Sequence, residues 1–246
     1  MPNNYKNLLK AFENHVLGAR SHHDWFRDLL DDVMAGFGLR LKTPWDDEVR
    51  DQLFTLSTEY AKAVKDAPIF DDILGGLYQE IASKYKSKAM GQYFTPMALC
   101  EMMAAMTFDV GIYERSGTIR VYEPACGSGA MILATIKTIY ENNPELLKRT
   151  SFTMVDLDPL CCRMSAVQIM ANCLINGVEI GELFIVQGNA LGDPLNMTPY
   201  YHVSRPEIEP MSVQGMAAGL QHAREEYEAQ EKKKQASKPG FQFDLL

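Results

Sequence analysis

The 246 residues are 46% hydrophobic and 23% charged, with 24 basic side chains against 32 acidic ones for a net charge of −8. This composition excludes the disordered, collagenous and fibrous classes and predicts a substantial core in one large domain or two small ones. The acidic balance works against unaided binding to a polyphosphate, so any nucleic-acid role needs local patches or a partner. No apolar run approaches the roughly 18 residues of a membrane helix. The opening MPNNYKNLLKAFENHV has neither the apolar centre nor the small-residue cleavage site of a signal peptide. A cytoplasmic protein without membrane association is expected. Five cysteines, with no CxxC pair and with Cys161 and Cys162 adjacent, argue against a disulfide framework and against a zinc site.

Residues 4 to 86 read as helices. Apolar positions recur at helical spacing over Tyr5, Leu8, Leu9, Phe12 and Val16, then Phe26, Leu29, Leu30 and Val33, then Val49, Leu53, Leu56 and Tyr60, then Phe70, Ile73, Leu74, Leu77, Tyr78 and Ile81. Gly36, Gly38, Pro44 and the Ala67-Pro68 pair mark the breaks. From about Lys88 the pattern changes to alternating strand and helix, which predicts an α/β layer with parallel strands. A helix follows Thr95-Pro96. Next come strand 118–122, a helix from Ala130 to about Tyr140, strand 152–155, a helix over 160–174 and strand 183–186. Val213, Met216, Ala217, Leu220 and Tyr227 predict one more helix that ends in a solvated run at Lys232 to Lys234. A final strand-like fragment occupies 241–246. The division expected is a helical domain over 1–87 and an α/β domain over 88–246.

Chemistry concentrates in VYEPACGSGA, residues 121 to 130, where an apolar strand enters a glycine turn that opens a helix. Glycines there let backbone approach a ligand without a Cβ in the way. A plain strand-to-helix turn is one competing reading. A dinucleotide fingerprint is another, weakened because Ile132 stands where its third small residue belongs. Glu123 at the strand end suits a ligand with a cationic group better than a pyrophosphate. At the end of the second strand, in MVDLDP, Asp156 is placed to accept both hydroxyls of a ribose, with Leu157 against an adenine face. Asp158, before Pro159, reads equally as a helix cap. The third strand ends in QGNAL, where Asn189 meets the edge of the same adenine. Upstream, the Thr95 hydroxyl and backbone amides at a helix start suit a carboxylate.

These segments, GQYFTP at 91–96, EPACGSGA at 123–130, VDLDP at 155–159 and GNAL at 188–191, resemble in order and spacing those of the N6-adenine DNA methyltransferases of the type I restriction-modification kind. The preceding helical stretch looks like the N-terminal helical domain of those modification subunits. The resemblance implies S-adenosylmethionine as cofactor, a Class I methyltransferase (Rossmann-like) sheet, and DNA as substrate. It implies cofactor contacts from Tyr93, Thr95, Glu123, Ala125, Gly127, Gly129, Asp156, Leu157, Asn189 and Ala190. Cys126, by the same resemblance, serves packing and backbone geometry.

Two departures stand out. Family members usually carry Asp where this chain has Asn189. The catalytic Asn/Asp-Pro-Pro-Tyr/Phe motif is missing, since the sequence contains no Pro-Pro pair; in the family it follows a fourth strand resembling Phe243-Asp244-Leu245-Leu246. Asp193-Pro194-Leu195 and Thr198-Pro199-Tyr200-Tyr201 hold fragments of such a motif but are read as loop. The expectation is an incomplete sheet, in the order three, two, one, four, whose exposed fourth strand is covered by a second copy or by a restriction-modification partner chain that also supplies the catalytic loop. The alternative is a catalytically inactive cofactor-binding or interaction protein that regulates restriction-modification. The methionines at 97, 102, 103 and 106 are expected in a helix core, and the histidines are read as satisfied residues rather than metal ligands.

Overall fold

A computed structural model describes residues 5–14, 20–38, 45–84, 94–109, 111, 115 and 117–236. Its helices are α1 (Lys6–Asn14), α2 (His22–Gly36), α3 (Asp47–Asp66), α4 (Ile73–Lys84) and α5 (Met97–Thr107). After them come β1 (Ile119–Glu123), α6 (Ala130–Asn142), β2 (Thr150–Asp156), α7 (Pro159–Asn176), β3 (Glu182–Gln187), β4 (Thr198–Ser204) and α8 (Val213–Ala236). Local signals explain the boundaries. Ser21 and Asp24 form a reciprocal capping box on α2. On α7, the Asp158 side chain accepts from the Leu160 amide, Pro159 occupies the first turn, and Gly177 closes the helix at a φ of +64°.

The described strands lie in the order β1-β2-β3-β4. The first two pairings are parallel, Val121 opposite Phe152 and Met154 opposite Ile185, as the strand-helix alternation predicts. β2 and β3 are buried almost throughout, as central parallel strands must be. Their alternate residues feed two layers. Phe152, Met154, Leu183 and Ile185 join one large cluster with α6, α7 and the N-terminal helices, while Val155, Phe184 and Val186 meet Val213 and Met216 of α8. Because α2, α3 and α4 pack on α7, that cluster runs unbroken from Leu8 to Ile185.

Three expectations need correction. Residues 198–201 are not loop: they begin β4, antiparallel to β3, with Val186 opposite Pro199 and Ile185 opposite Tyr201 across an irregularity at 185/186. An edge strand tolerates Pro199 because a proline's missing N–H removes no inner ladder bond. The sheet is therefore mixed rather than wholly parallel. The methionine group is not core as a whole either: Met97 packs against the core, whereas Met102, Met103 and Met106 are 53%, 43% and 78% exposed. α5 meets α6 through Cys100 and Ala104 against Ala130 and Ala134, and that close small-residue contact turns the long side chains outward. The strand-like fragment at 241–246, on which the exposed-edge expectation rests, lies outside the described residues. Lys232 and Lys233 are exposed on α8, as expected. Among the described residues no helix is long and apolar enough to cross a membrane.

Candidate cofactor site

The carboxyl ends of β1, β2 and β3 open at one edge of the sheet, where turns can reach a ligand without interrupting the ladder. Leaving β1, the chain makes a tight loop: the Cys126 amide donates to the Val155 carbonyl (2.9 Å) and the Gly129 amide to the Cys126 carbonyl (2.7 Å). Gly127 and Gly129 adopt φ of +52° and +93°. A Cβ on Gly127 would stand 3.1 Å from the Phe94 ring, whereas one on Gly129 would stand 3.0 Å from Cβ and 3.2 Å from Cα of Ser165. The first obstacle is a ring that can tilt; the second is the backbone of α7. Gly129→Ala is accordingly expected to destabilise the fold by about 2–4 kcal/mol in urea denaturation, from backbone strain plus overpacking, and Gly127→Ala by only about 1 kcal/mol.

Asp156, at the tip of β2, holds this loop. Its Oδ2 accepts from the Gly127 amide and its Oδ1 from the Asp158 amide, both at 2.9 Å. The Asp156 carbonyl accepts from the Gly188 amide (2.9 Å), which ties the exit of β3 to the same point. Glu123 accepts from the Ala125 amide (3.0 Å). Burial pushes the Glu123 carboxyl above its ordinary range, the Ala125 amide pulls it down, and the neighbouring Asp156 charge pushes it up again. A carboxyl raised in this way holds its proton more tightly folded than unfolded. Its contribution to stability is present at acid pH and is lost as pH rises through the raised value.

Phe94, Thr95, Ala125, Gly127, Ser128 and Asp156 line one cleft of about 220 Å³, together with Cys100, Cys126, Ala130, Met131 and Cys161. Among the described residues no side chain caps the first turn of α5, whose cap residue is Pro96, and Thr95 brings the start of that helix to the cleft. Leu157 is 72% exposed beside the cleft. Asn189 is exposed, and its Oδ1 accepts from the Leu191 amide (3.0 Å) in a local turn. Ala190 packs under it against the α8 cluster. Of the sequence-predicted residues, Thr95, Ala125, Gly127 and Asp156 share the cleft. Glu123, Leu157, Asn189 and Ala190 surround it at the strand ends, and Gly129 packs behind the loop. Tyr93 lies outside the described residues. Missed by the sequence were Phe94, which roofs Gly127, and Ser128, which is buried.

All five cysteines are free and buried. Burial pushes Cys100 up to about 11 and Cys173 up to about 12, so neither thiol supplies a thiolate near neutral pH. Cys126 is raised well above its usual value by a hydrogen bond with Cys162 and by burial, in keeping with a packing role.

A sequence model described as N-6 DNA methylase matches residues 69–238. The chain belongs to the N-6 DNA methylase family. Its fold is that of the Class I S-adenosylmethionine-dependent methyltransferases, with the parallel strands β1, β2 and β3 flanked by helices on both faces and further helices at the N-terminus. Similar curated proteins are the MpnII type I restriction enzyme methylase subunit of Mycoplasma pneumoniae, 23% identical over 68% of this chain and 28% of that one, and the HindI methylase subunit of Haemophilus influenzae, 29% identical over 44% and 22%. The matched part of this N-6 DNA methylase chain thus spans about a quarter of the length of each. Similar solved structures include a Listeria monocytogenes protein described as a class I S-adenosylmethionine-dependent methyltransferase (12% identity, TM-score 0.44, covering 78% of this chain and 55% of that one). Another is the type I restriction-modification methyltransferase subunit of Streptococcus thermophilus (18% identity, TM-score 0.37, 78% and 40%).

Proposed function

We propose that this chain binds S-adenosylmethionine and forms the cofactor-binding part of an N6-adenine DNA methyltransferase of the type I restriction-modification kind. The observation that carries the reading is the convergence of Thr95, the loop residues 125–128 and Asp156 on one cleft. The residues fit the group chemically. Glu123 and Asp156 put two carboxylates where a ligand bearing ammonium and sulfonium charges would lie. Gly127 leaves a floor that a Cβ would crowd against Phe94. The uncapped amides at the start of α5 suit the ligand's carboxylate, Asp156 suits its ribose, and exposed Leu157 offers an apolar face to adenine. Asn189 differs from the expected acid, and its oxygen, which already accepts from the Leu191 amide, keeps a second lone pair for the adenine amino group.

When bound, the cofactor supplies an electrophilic methyl group on sulfur. The residues on this chain bind and orient it. No Pro-Pro-Tyr/Phe motif is present to hold a flipped adenine, so the reading assigns that role to polypeptide outside these 246 residues, on a partner chain, which would also bring DNA contacts to an acidic protein. Calorimetric titration of the purified chain with S-adenosylmethionine tests the cofactor half. One saturable site is expected, with affinity falling as pH is lowered through the raised titration of Glu123, because protonation removes the charge facing a cationic ligand. Glu123→Gln should weaken binding and flatten that pH profile. Absence of binding by the wild-type chain would overturn the reading; a profile unchanged in Glu123→Gln would remove Glu123 from it.

A further inference from the structure

A polar network, separate from the strand ends that face the ligand, ties the helical layer to the glycine loop. Asp72 lies in the turn between α3 and α4. Its Oδ2 accepts from the Ser128 hydroxyl (2.8 Å), and its Oδ1 accepts from Gln168 Nε2 (2.7 Å) and from the Gly75 amide (2.9 Å). Gln168, on α7, also donates from Nε2 to the Ser128 carbonyl (2.7 Å) and accepts at Oε1 from the Leu74 amide (2.9 Å). One turn along, Asn172 Oδ1 accepts from the Phe70 amide (3.1 Å), and its Nδ2 donates to the Gln168 carbonyl (2.9 Å).

The turn is held in an unusual state. Phe70, fully buried, has a φ of +61°, the one non-glycine residue in the left-handed region among the described residues, and such a conformation persists only where its surroundings over-determine it. Gly75 is required for the same contact, since a Cβ there would overlap both Asp72 oxygens and the Ser128 hydroxyl. Burial pushes the Asp72 carboxyl up, and its hydrogen bonds from Gln168, Ser128 and Gly75 pull it down. A carboxylate set among these donors demands a fixed geometry in a way that an apolar contact does not. Ser128 stands between the two positive-φ glycines. The amide beside it, on Gly127, is the one that Asp156 accepts from.

We propose that Asp72 is a positioning residue for the cofactor loop: through Ser128 it fixes the backbone at 127–129, so that cofactor affinity depends on the docking of the 70–75 turn of the helical layer. Linkage makes the dependence reciprocal, and a bound cofactor should tighten that turn. The inference rests on the cofactor reading given above and adds a regulator of its affinity on an element that the ligand does not touch.

The test uses the full chain with S-adenosylhomocysteine as probe, titrated into the wild type, Ser128→Ala and Gly75→Ala. Hydrogen exchange of amides 70–75 is followed with and without the probe. Ser128→Ala is expected to weaken binding about tenfold, the scale of one hydrogen bond to a charged group, read per folded molecule because leaving a buried Asp72 oxygen without its donor also lowers the melting temperature. Gly75→Ala, which helix preference alone would favour, should weaken binding as well. In the wild type the probe should slow exchange at Leu74 and Gly75, and Ser128→Ala should lose that response. Wild-type binding with unchanged exchange at 70–75, or variants that bind as tightly as the wild type, would overturn the inference and leave the cofactor site standing. A wild type that binds no probe would remove the cofactor reading and this inference with it. The exchange measurement on the wild type needs no variant, so it decides the matter even where a substitution impairs folding.

Discussion

Asp156→Ala is expected to lower S-adenosylmethionine affinity by about a hundredfold or more, the scale of one to two lost hydrogen bonds to a charged acceptor. An ionised carboxylate offers about four lone-pair sites. Two are occupied by the Gly127 and Asp158 amides, which leaves two for the pair of ribose hydroxyls. Alanine would therefore remove the ligand contact and the clamp on the glycine loop together. Asp156→Asn would turn an N–H₂ group toward one of the two backbone amides and should also bind poorly. A cofactor analogue lacking both ribose hydroxyls separates the two roles. If Asp156 holds the ribose, the losses from the variant and from the analogue overlap, and their combination costs much less than their sum. Fully additive losses would confine Asp156 to the loop clamp. Calorimetry with both ligands on both proteins completes the cycle.

The parts of this arrangement that could be read from the sequence are those that depend on neighbouring residues. β1, β2 and β3, with α6 and α7 between them, carry strong local signals: apolar runs such as FTMV and LFIV, Asp158-Pro159 at a helix start, and Gly177 at its end. The loop between Glu123 and Ala130 announced itself by its glycines. β4 did not, because Pro199 in TPYY argues against a strand unless the strand is known to lie at an edge. α5 is apolar around most of its circumference, so periodicity could not say which face packs, and the small residues won the contact. Asp72, Ser128 and Gln168 meet across 56 and 96 residues of chain. In sequence they are an ordinary turn aspartate, a loop serine and a helix glutamine. Only the fold makes them one network, and only then does the glycine at position 75 acquire a reason.

Glu182→Ala is expected to destabilise the protein by about 3–5 kcal/mol, the scale of leaving two buried donors without an acceptor at roughly 1–3 kcal/mol each, and yet to leave cofactor affinity per folded molecule unchanged. Glu182 begins β3 at the end of the sheet opposite the cleft, and its side chain is fully buried. Its Oε1 accepts from the Met211 amide (2.6 Å) and pairs with His202 Nε2 (2.8 Å), while its Oε2 accepts from the Ser151 hydroxyl. One carboxylate therefore joins β2, β3, β4 and the approach to α8. His202 also sets its ring edge-on to Phe184 at 5.0 Å between centroids, next to the same pairing. Alanine would leave the Met211 amide and the Ser151 hydroxyl without an acceptor, and leucine, though similar in size, would leave the same donors unmet. Glutamine keeps one acceptor and should cost less than either. For a domain of ordinary stability, about 5–15 kcal/mol, the alanine variant would retain little margin, visible as a large fall in the urea midpoint. Together with Asp156 it makes a paired test: one substitution at the carboxyl end of the sheet removes binding with modest cost to folding, and one at the amino end does the reverse. A Glu182→Ala protein that melts like the wild type would show that the β4 attachment contributes little. One that stays folded but loses the cofactor would show that the two ends of the sheet are coupled, against the independence that their separation predicts.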